Sequence, residues 1–170
     1  MKYLICSDIH GSVAATKKLL AQFKELNCDF FIHLGDVHYF GPRNPFPEEY
    51  CPKEVATLLN GIKDKIIAVR GNCDSEVDQM LLEFPMMSDY TIVLDNGHRL
   101  FLTHGHIFSP EKLPYLSKGD FFFSGHTHER VLKEKDGITI CNPNSASLPK
   151  DGNPASFIVY ENEKITFYNL

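Results

Sequence analysis

The sequence predicts an α/β protein built from two β-sheets packed face to face, with helices on the outside. Three observations predict it. Up to Val69, short apolar runs alternate with helical patterns. Beyond Tyr90 the helical patterns give way to short alternating runs separated by turn residues. Five of the apolar runs end in an Asp, Asn or His, usually beside a glycine. Alternation of strand and helix argues for right-handed crossovers and a parallel first sheet. The second half reads as a mostly antiparallel sheet.

Each element has its own signal. Residues 2–6 (KYLIC) read as a buried strand. Ser12 has the chemistry of an N-cap, and Leu19, Leu20, Phe23 and Leu26 then recur at helical spacing. Residues 29–34 (DFFIHL) are the next strand, and the proline-rich segment GPRNPFPEEYCP is a long loop. Pro52 to Ile62 reads as a helix that starts near Pro52 and buries Val55, Leu58, Leu59 and Ile62. Residues 65–69 (KIIAV) form a third strand. The runs 90–94 and 99–103 flank Asn96-Gly97, a hairpin signal. Residues 120–124 (DFFFS) are a further buried strand, followed by short runs near 130–134, 137–141, 155–160 and 164–168.

Composition narrows the class. At 170 residues the chain has the size of one domain, and no internal boundary is visible, so residues 1–170 are expected to form a single domain. With 17 Lys and Arg against 22 Asp and Glu, the net charge is −5, a poor match to the phosphate backbone of long nucleic acid. No apolar stretch approaches the roughly 20 residues of a membrane helix, and the first apolar run stops at Asp8, unlike a signal peptide. Five dispersed cysteines without a C-x-x-C pair read as reduced thiols of a cytoplasmic protein.

The chemistry gathers at strand ends. The first run ends at Ser7-Asp8-Ile9-His10, the second at Gly35-Asp36 and the third at Gly71-Asn72-Cys73-Asp74. The run 99–103 ends at His104-Gly105-His106, and the run 120–124 at Gly125-His126-Thr127-His128. Each motif alone is a common turn or surface pair; their joint occurrence at the carboxyl ends of strands marks a site. Imidazole and carboxylate suit manganese, iron, nickel or zinc. Seven candidate ligands, Asp8, His10, Asp36, Asn72, His104, His126 and His128, exceed what one ion needs and suit two, with Asp36 able to bridge. Two divalent ions and two carboxylates leave an excess of positive charge, which attracts a phosphate ester and acidifies a bridging water to hydroxide. His33, in an apolar run, reads instead as a satisfied sheet residue.

These blocks resemble the calcineurin-like metallophosphoesterase superfamily, whose pattern is D-x-H, G-D, G-N-[HC]-[DE], a G-H segment and G-H-x-H. The segments GPRN (41–44), RGNCDSEVDQMLLEFP (70–85), LTHGH (102–106) and NPASF (153–157) are similar to small bacterial phosphodiesterases of the YfcE kind over essentially the whole chain. The resemblance implies a four-layer αββα sandwich of two mixed sheets and hydrolysis of phosphodiesters at a dinuclear centre. It implies two divalent ions per chain, with Mn2+ first and Zn2+, Ni2+ or Fe as alternatives. It assigns Asp8, His10, Asp36 and His128 to one metal, and Asp36, Asn72, His104 and His126 to the other. Asn72, Cys73, Asp74 and His106 become candidate catalytic residues. Related proteins form dimers or tetramers, so a homo-oligomer is in prospect, with a small-molecule phosphodiester as substrate and no membrane partner.

Most members of the superfamily carry His where this chain has Cys73. A thiol with an ordinary pKa near ~8.5 is a weaker acid catalyst than imidazolium, so esters with good leaving groups are favoured. Cys73 is then either a catalytic thiol or a space-filler beside the metals. The role of Asp74, which normally supports that histidine, is open, and His106 either faces the substrate or orients its neighbours. Asn144 stands where relatives often have Gly, and Asn tolerates positive φ. Arg43 is placed to reach a substrate phosphate or to form a surface ion pair. A phosphomonoesterase or nuclease on the same centre is the competing enzymatic reading. A protein-binding scaffold, as in the retromer subunit of this fold, would be expected to lose ligands; all seven are present.

Overall fold

A computed structural model describes residues 1–150 and 152–170. Two mixed five-stranded sheets form its centre. The first contains β1 (Lys2–Cys6), β2 (Phe30–His33), β3 (Ile66–Ala68), β9 (Ser156–Glu161) and β10 (Lys164–Asn169), in the order β10-β9-β1-β2-β3. The second contains β4 (Tyr90–Asp95), β5 (His98–Thr103), β6 (Phe121–Phe123), β7 (Arg130–Lys135) and β8 (Ile138–Pro143), in the order β4-β5-β6-β8-β7. Strands β1, β2 and β3 are parallel, as the strand–helix alternation predicts.

Two expectations about the second half need correction. Its sheet is not mostly antiparallel: β5, β6 and β8 run parallel, and only the edge strands β4 and β7 are antiparallel to their neighbours. The reason lies in the connections, since chain long enough to cross over joins β5 to β6 and β6 to β8. The last hairpin also leaves this sheet. β9 returns to pair antiparallel with β1, and β10 pairs with β9. β9 is buried on both faces, so SFIVY reads as a continuous apolar run and carries no mark of which sheet it joins.

Alternation along the strands assigns the faces. Tyr3, Ile5, Ile32, Leu34, Ile158 and Tyr160 point between the sheets and meet Leu100, Leu102, Phe121, Phe123 and Cys141. Tyr160 sets its ring edge against Phe121 at 5.1 Å and Phe123 at 5.9 Å. Each such large side chain contributes about 1.5–3 kcal/mol by leaving water. On the other face, Leu4, Cys6, Phe31, Phe157 and Val159 receive the helices α1 (Val13–Glu25) and α2 (Pro52–Asn60) through Val13, Leu19, Phe23, Val55 and Leu59. The Ser12 hydroxyl accepts from the Ala15 N–H at 3.2 Å and starts α1 as expected, while α2 stops two residues short of Ile62. The far face of the second sheet is covered by the segment between β5 and β6, whose Phe108, Leu113 and Leu116 pack on Phe101, Phe122, Ile138 and Ile140. A short helix α3 (Glu76–Gln79) has no counterpart among the elements expected from the sequence. Asp78 caps it by accepting from the Ser75 N–H and hydroxyl, each at 2.8 Å.

Candidate metal centre

The candidate ligands leave their strands through unusual backbone. Asp8 (φ 55°), His10 (51°), Asp36 (60°), His126 (70°) and His128 (58°) all lie in the left-handed region. Non-glycine residues there cost on the order of 1–3 kcal/mol each and persist where the surroundings over-determine them. Here the loops after β1 and β2 are zipped together: Asp8 N–H donates to Gly35 O at 3.1 Å, His10 N–H to Asp36 O at 3.0 Å and Gly11 N–H to Val37 O at 2.8 Å. The Ser145 and Ser147 hydroxyls both donate to the Asp8 carbonyl, at 2.8 and 3.1 Å. Asn144 sits at φ 78°, as its tolerance for that region predicts. The glycines beside the ligands are required by close approach. A Cβ on Gly71 would overlap Asp36 Oδ1, and one on Gly125 would overlap Ser7 Oγ.

The side chains converge from both sheets. Asp8, His10 and His104 are fully buried, and Asp36 and His128 nearly so. His10 Nδ1 donates to the Tyr39 carbonyl at 2.7 Å, His104 Nδ1 to Leu34 O at 2.8 Å and His128 Nδ1 to Leu148 O at 2.6 Å. A carbonyl can only accept, so each ring carries its proton on Nδ1 and turns Nε2 inward. His10 Nε2 and His128 Nε2 then face each other at 3.1 Å. Asp8 Oδ1 lies 3.1 Å from His128 Nε2 and 3.4 Å from His10 Nε2, yet is buried without a hydrogen-bond partner. Across the cluster, His104 Nε2 is 3.4 Å from Asp36 Oδ2 and 3.1 Å from Asn72 Oδ1.

Among the described residues, three sets of donor atoms fall within 4.8 Å of one another: Asp8, His10 and His128; Asp8, Asp36 and His104; and His10, Asp36 and Cys73. His126 joins none of them. Its ring stands 5.1 Å from that of His104, and its N–H donates to Asp8 Oδ2 at 3.0 Å. It lines a small cavity of about 70 Å³ together with Asp36, Asn72, Cys73 and His128.

The pattern that joins this geometry to known proteins is the calcineurin-like phosphoesterase superfamily domain, which matches residues 1–164. The chain belongs to that superfamily. It is 49% identical to the phosphodiesterase YfcE of Escherichia coli K12 over 170 residues, all of this chain and 92% of that protein. A solved structure of that E. coli phosphoesterase superposes with a TM-score of 0.95, covering 97% of this chain and 91% of that one. The phosphodiesterase MJ0936 of Methanocaldococcus jannaschii is 31% identical over 150 residues, 84% of this chain and 82% of that protein.

A metallophosphoesterase implies divalent metal ions, and the donor set fits them. Inward imidazole lone pairs facing one another beside an orphaned carboxylate oxygen are unfavourable without a cation. Without one, protons take that part. Burial would raise the Asp8 and Asp36 pKa values, but the neighbouring imidazoles outweigh it and hold both below the ordinary carboxylate range. Burial would lower His104; Asp8 and Asp36 outweigh it and lift it to about 9.

The remaining candidate residues of this phosphoesterase take distinct places. Cys73 is half-buried at the cavity wall, its N–H donates to Asp36 Oδ1 at 2.8 Å, and its Sγ accepts from Asn72 Nδ2 at 3.3 Å. Burial, and then the Asp36 charge, push its thiol up and keep it protonated. His106 is half-buried, 5.4 Å from the His104 ring and 6.3 Å from that of His126, with Nδ1 unpartnered. Burial and the nearby His104 lower its pKa. Asp74 is a clamp: its carboxylate accepts from the N–H groups of Asp36 at 2.7 Å, Val37 at 2.9 Å and Gly71 at 2.7 Å. Burial and the charge of Asp36 raise its pKa to about 6 against those three donors. His33 is only half satisfied, since Nδ1 accepts from the Gly35 N–H at 3.0 Å and Nε2 is buried without a partner. Sequence reasoning missed the carbonyls of Leu34, Tyr39 and Leu148, which carry no side-chain signal, and Lys150, which lines the cavity from a distant loop.

Proposed function

We propose that this chain is a metal-dependent phosphodiesterase acting on small phosphodiesters at a dinuclear centre. The observation that carries the proposal is the trio His10, His104 and His128. Each is locked through Nδ1 onto a backbone carbonyl, so that its Nε2 faces Asp8 or Asp36. The relatives' phosphodiesterase names and the full-length identity support the same reading. Asp8, His10, Asp36 and His128 would hold one ion, and Asp36, Asn72, His104 and His126 would hold the other. Manganese is the first choice, and zinc, nickel and iron suit the same donors. When bound, the ions would supply Lewis acidity and a nucleophile from water at neutral pH.

The chain's own residues do the rest. The αL loops and the Asp74 clamp fix the ligands before substrate arrives. Asn72 contributes a neutral amide, so the site keeps more positive charge than a third carboxylate would leave, which favours an anionic ester. Cys73 stands at the cavity wall as a protonated thiol and offers little acid catalysis, so the reaction favours leaving groups that depart as stable anions. His106, beside the His104 and His126 rings, would either face the substrate or orient those rings.

An acidic chain favours small diesters over long nucleic acid. A cytoplasmic location fits the dispersed free cysteines, and among the described residues no helix is long and apolar enough to cross a membrane. Exposed Tyr90, Ile92 and Leu94 along the edge strand β4 support a homo-oligomer. The test strips the metal, reconstitutes with single metals and assays a panel of mono- and diesters. Bis(4-nitrophenyl) phosphate should be hydrolysed as occupancy approaches two ions per chain. Full activity at one ion per chain would remove the bridging role of Asp36.

A further inference from the structure

The cavity beside the candidate ligands has a second lining. Arg43 and Lys150 line it from two different loops, alongside Asp36, Asn72, His126 and His128. Both loops are pinned. Asn44 Nδ2 donates to the Phe40 carbonyl at 2.7 Å, and Phe40 packs on Phe46 at 4.7 Å and Tyr50 at 5.2 Å. Pro42, Pro45 and Pro47 stiffen the same segment. A Cβ on Gly41 would come within 3.4 Å of Cys73 Sγ, so this loop lies directly over the site. On the other side, the Lys150 N–H donates to the His128 carbonyl at 2.9 Å, while His128 Nδ1 donates to Leu148 O at 2.6 Å. Two cations are thus mounted on loops attached to the candidate ligands themselves.

Neither cation is paired among the described residues, although the chain carries 22 acidic residues. Lys2, Lys17, Lys63, Arg70 and Arg99 have carboxylate partners, but among the described residues exposed Lys18, Lys24 and Lys53 have none either, so it is the placement at the cavity that singles out Arg43 and Lys150. Arg43 and Lys150 are also exposed, whereas Asp8, His10 and His104 are fully buried. The cations therefore sit nearer solvent than the buried candidate ligands. A scissile diester carries one negative charge, which the metal centre answers without them.

We infer that Arg43 and Lys150 form a second anion site, and that the preferred substrates are phosphodiesters bearing an additional phosphate or carboxylate on one arm. This rests on the phosphodiesterase reading and specifies its substrate class. The guanidinium supplies a planar fork of donors and the ammonium a mobile charge, a pairing suited to a terminal oxyanion.

The experiment compares three diesters with the manganese-loaded enzyme: 4-nitrophenyl phosphates whose second arm is 3-hydroxypropyl, 3-carboxypropyl or 3-phosphopropyl. Phosphorus NMR follows diester consumption, so cleavage of either ester bond registers. The wild type should prefer an anionic arm by roughly ten-fold in kcat/KM, and that preference should shrink as salt rises. The carboxylate and phosphate arms separate the two sources of the anion. In Arg43→Gln with Lys150→Gln the ratio of anionic to neutral arm should fall to near one, and Lys150→Glu should invert it. Equal fractional losses on all three diesters would overturn the inference and place both cations on the scissile phosphate. A wild-type ratio near one would also overturn it while leaving the phosphodiesterase reading intact. A wild type inert on every diester would instead fail that underlying reading.

Discussion

At the scale of single residues, the site is decided by which atom of each side chain is already occupied. Asp36 is the test of sharing: its Oδ2 faces His104 Nε2 at 3.4 Å and His10 Nε2 at 4.0 Å, while Oδ1 accepts from Cys73 N–H. Asp36→Asn should lower metal stoichiometry by elemental analysis and cut diester turnover by more than about a hundred-fold, since even the outer partners of ligands cost 10–100-fold. His98→Gln, at a half-exposed ring near Glu163, should change neither. Cys73 poses a chemical question. A well-placed general acid contributes typically ~10²–10⁴-fold, so Cys73→His should speed diesters with alkyl leaving groups and leave nitrophenyl esters nearly unchanged. The structure tempers the gain, because Asp74 has its oxygens committed to backbone amides and is not free to orient a new imidazole. Rates plotted against leaving-group pKa, at equal metal content, should be shallower in the variant; coincident slopes would show that no acid was gained.

At the scale of elements, the working parts are three loops held together rather than the strands that launch them. Asp74 joins the turn after β3 to the turn after β2 by accepting from the Asp36 and Val37 N–H groups, and closes its own turn by accepting from the Gly71 N–H. Asp74→Ala leaves three buried N–H groups without an acceptor, each worth about 1–3 kcal/mol and not additive. The variant should lose several degrees in Tm and bind metal more weakly, because Asp36 and Asn72 are no longer fixed relative to one another. Titration calorimetry with Mn2+ separates the two effects: a lower Tm with unchanged metal affinity would limit Asp74 to a structural role. Much at this scale is legible in the chain itself. The strands, Ser12 as cap and the Asn96-Gly97 hairpin follow from short-range chemistry. Helix α3 does not, because four residues give too little periodicity to register.

At the scale of the whole molecule, stability should respond to acid. Burial lowers the His33 pKa from 6.5 to about 3. Below pH 6.5 the unfolded chain takes up a proton there that the folded chain refuses until about pH 3, so stability is complete above that window and falls as pH drops through it. A pKa that differs by one between the folded and unfolded chain corresponds to about 1.4 kcal/mol, so the loss from this residue is on the order of 5 kcal/mol across the window. Urea midpoints of metal-free protein between about pH 7 and 4 should fall less steeply for His33→Gln than for the wild type. Parallel slopes would mean that other groups dominate the acid limb. Association belongs to the same scale. If the exposed edge of β4 seats a second copy, Ile92→Lys should shift the mass in light scattering toward the monomer.

The sequence by itself determined which residues are the candidates for the chemistry. Asp, Asn and His at the ends of five apolar runs are local facts, and a strand's carboxyl end is where a scaffold can mount them. It also determined most of the elements, because caps, turn pairs and apolar periodicity act over a few residues. Only the tertiary structure decided what those residues touch. β9 joins β1 across more than a hundred residues of chain, and a strand buried on both faces does not advertise its partner. The acceptors that hold His10, His104 and His128 are main-chain carbonyls, identical in every residue type and therefore silent in a sequence. Arg43 and Lys150 share one cavity because two distant loops are anchored to neighbouring candidate ligands, His10 and His128, and spacing along the chain holds no record of that.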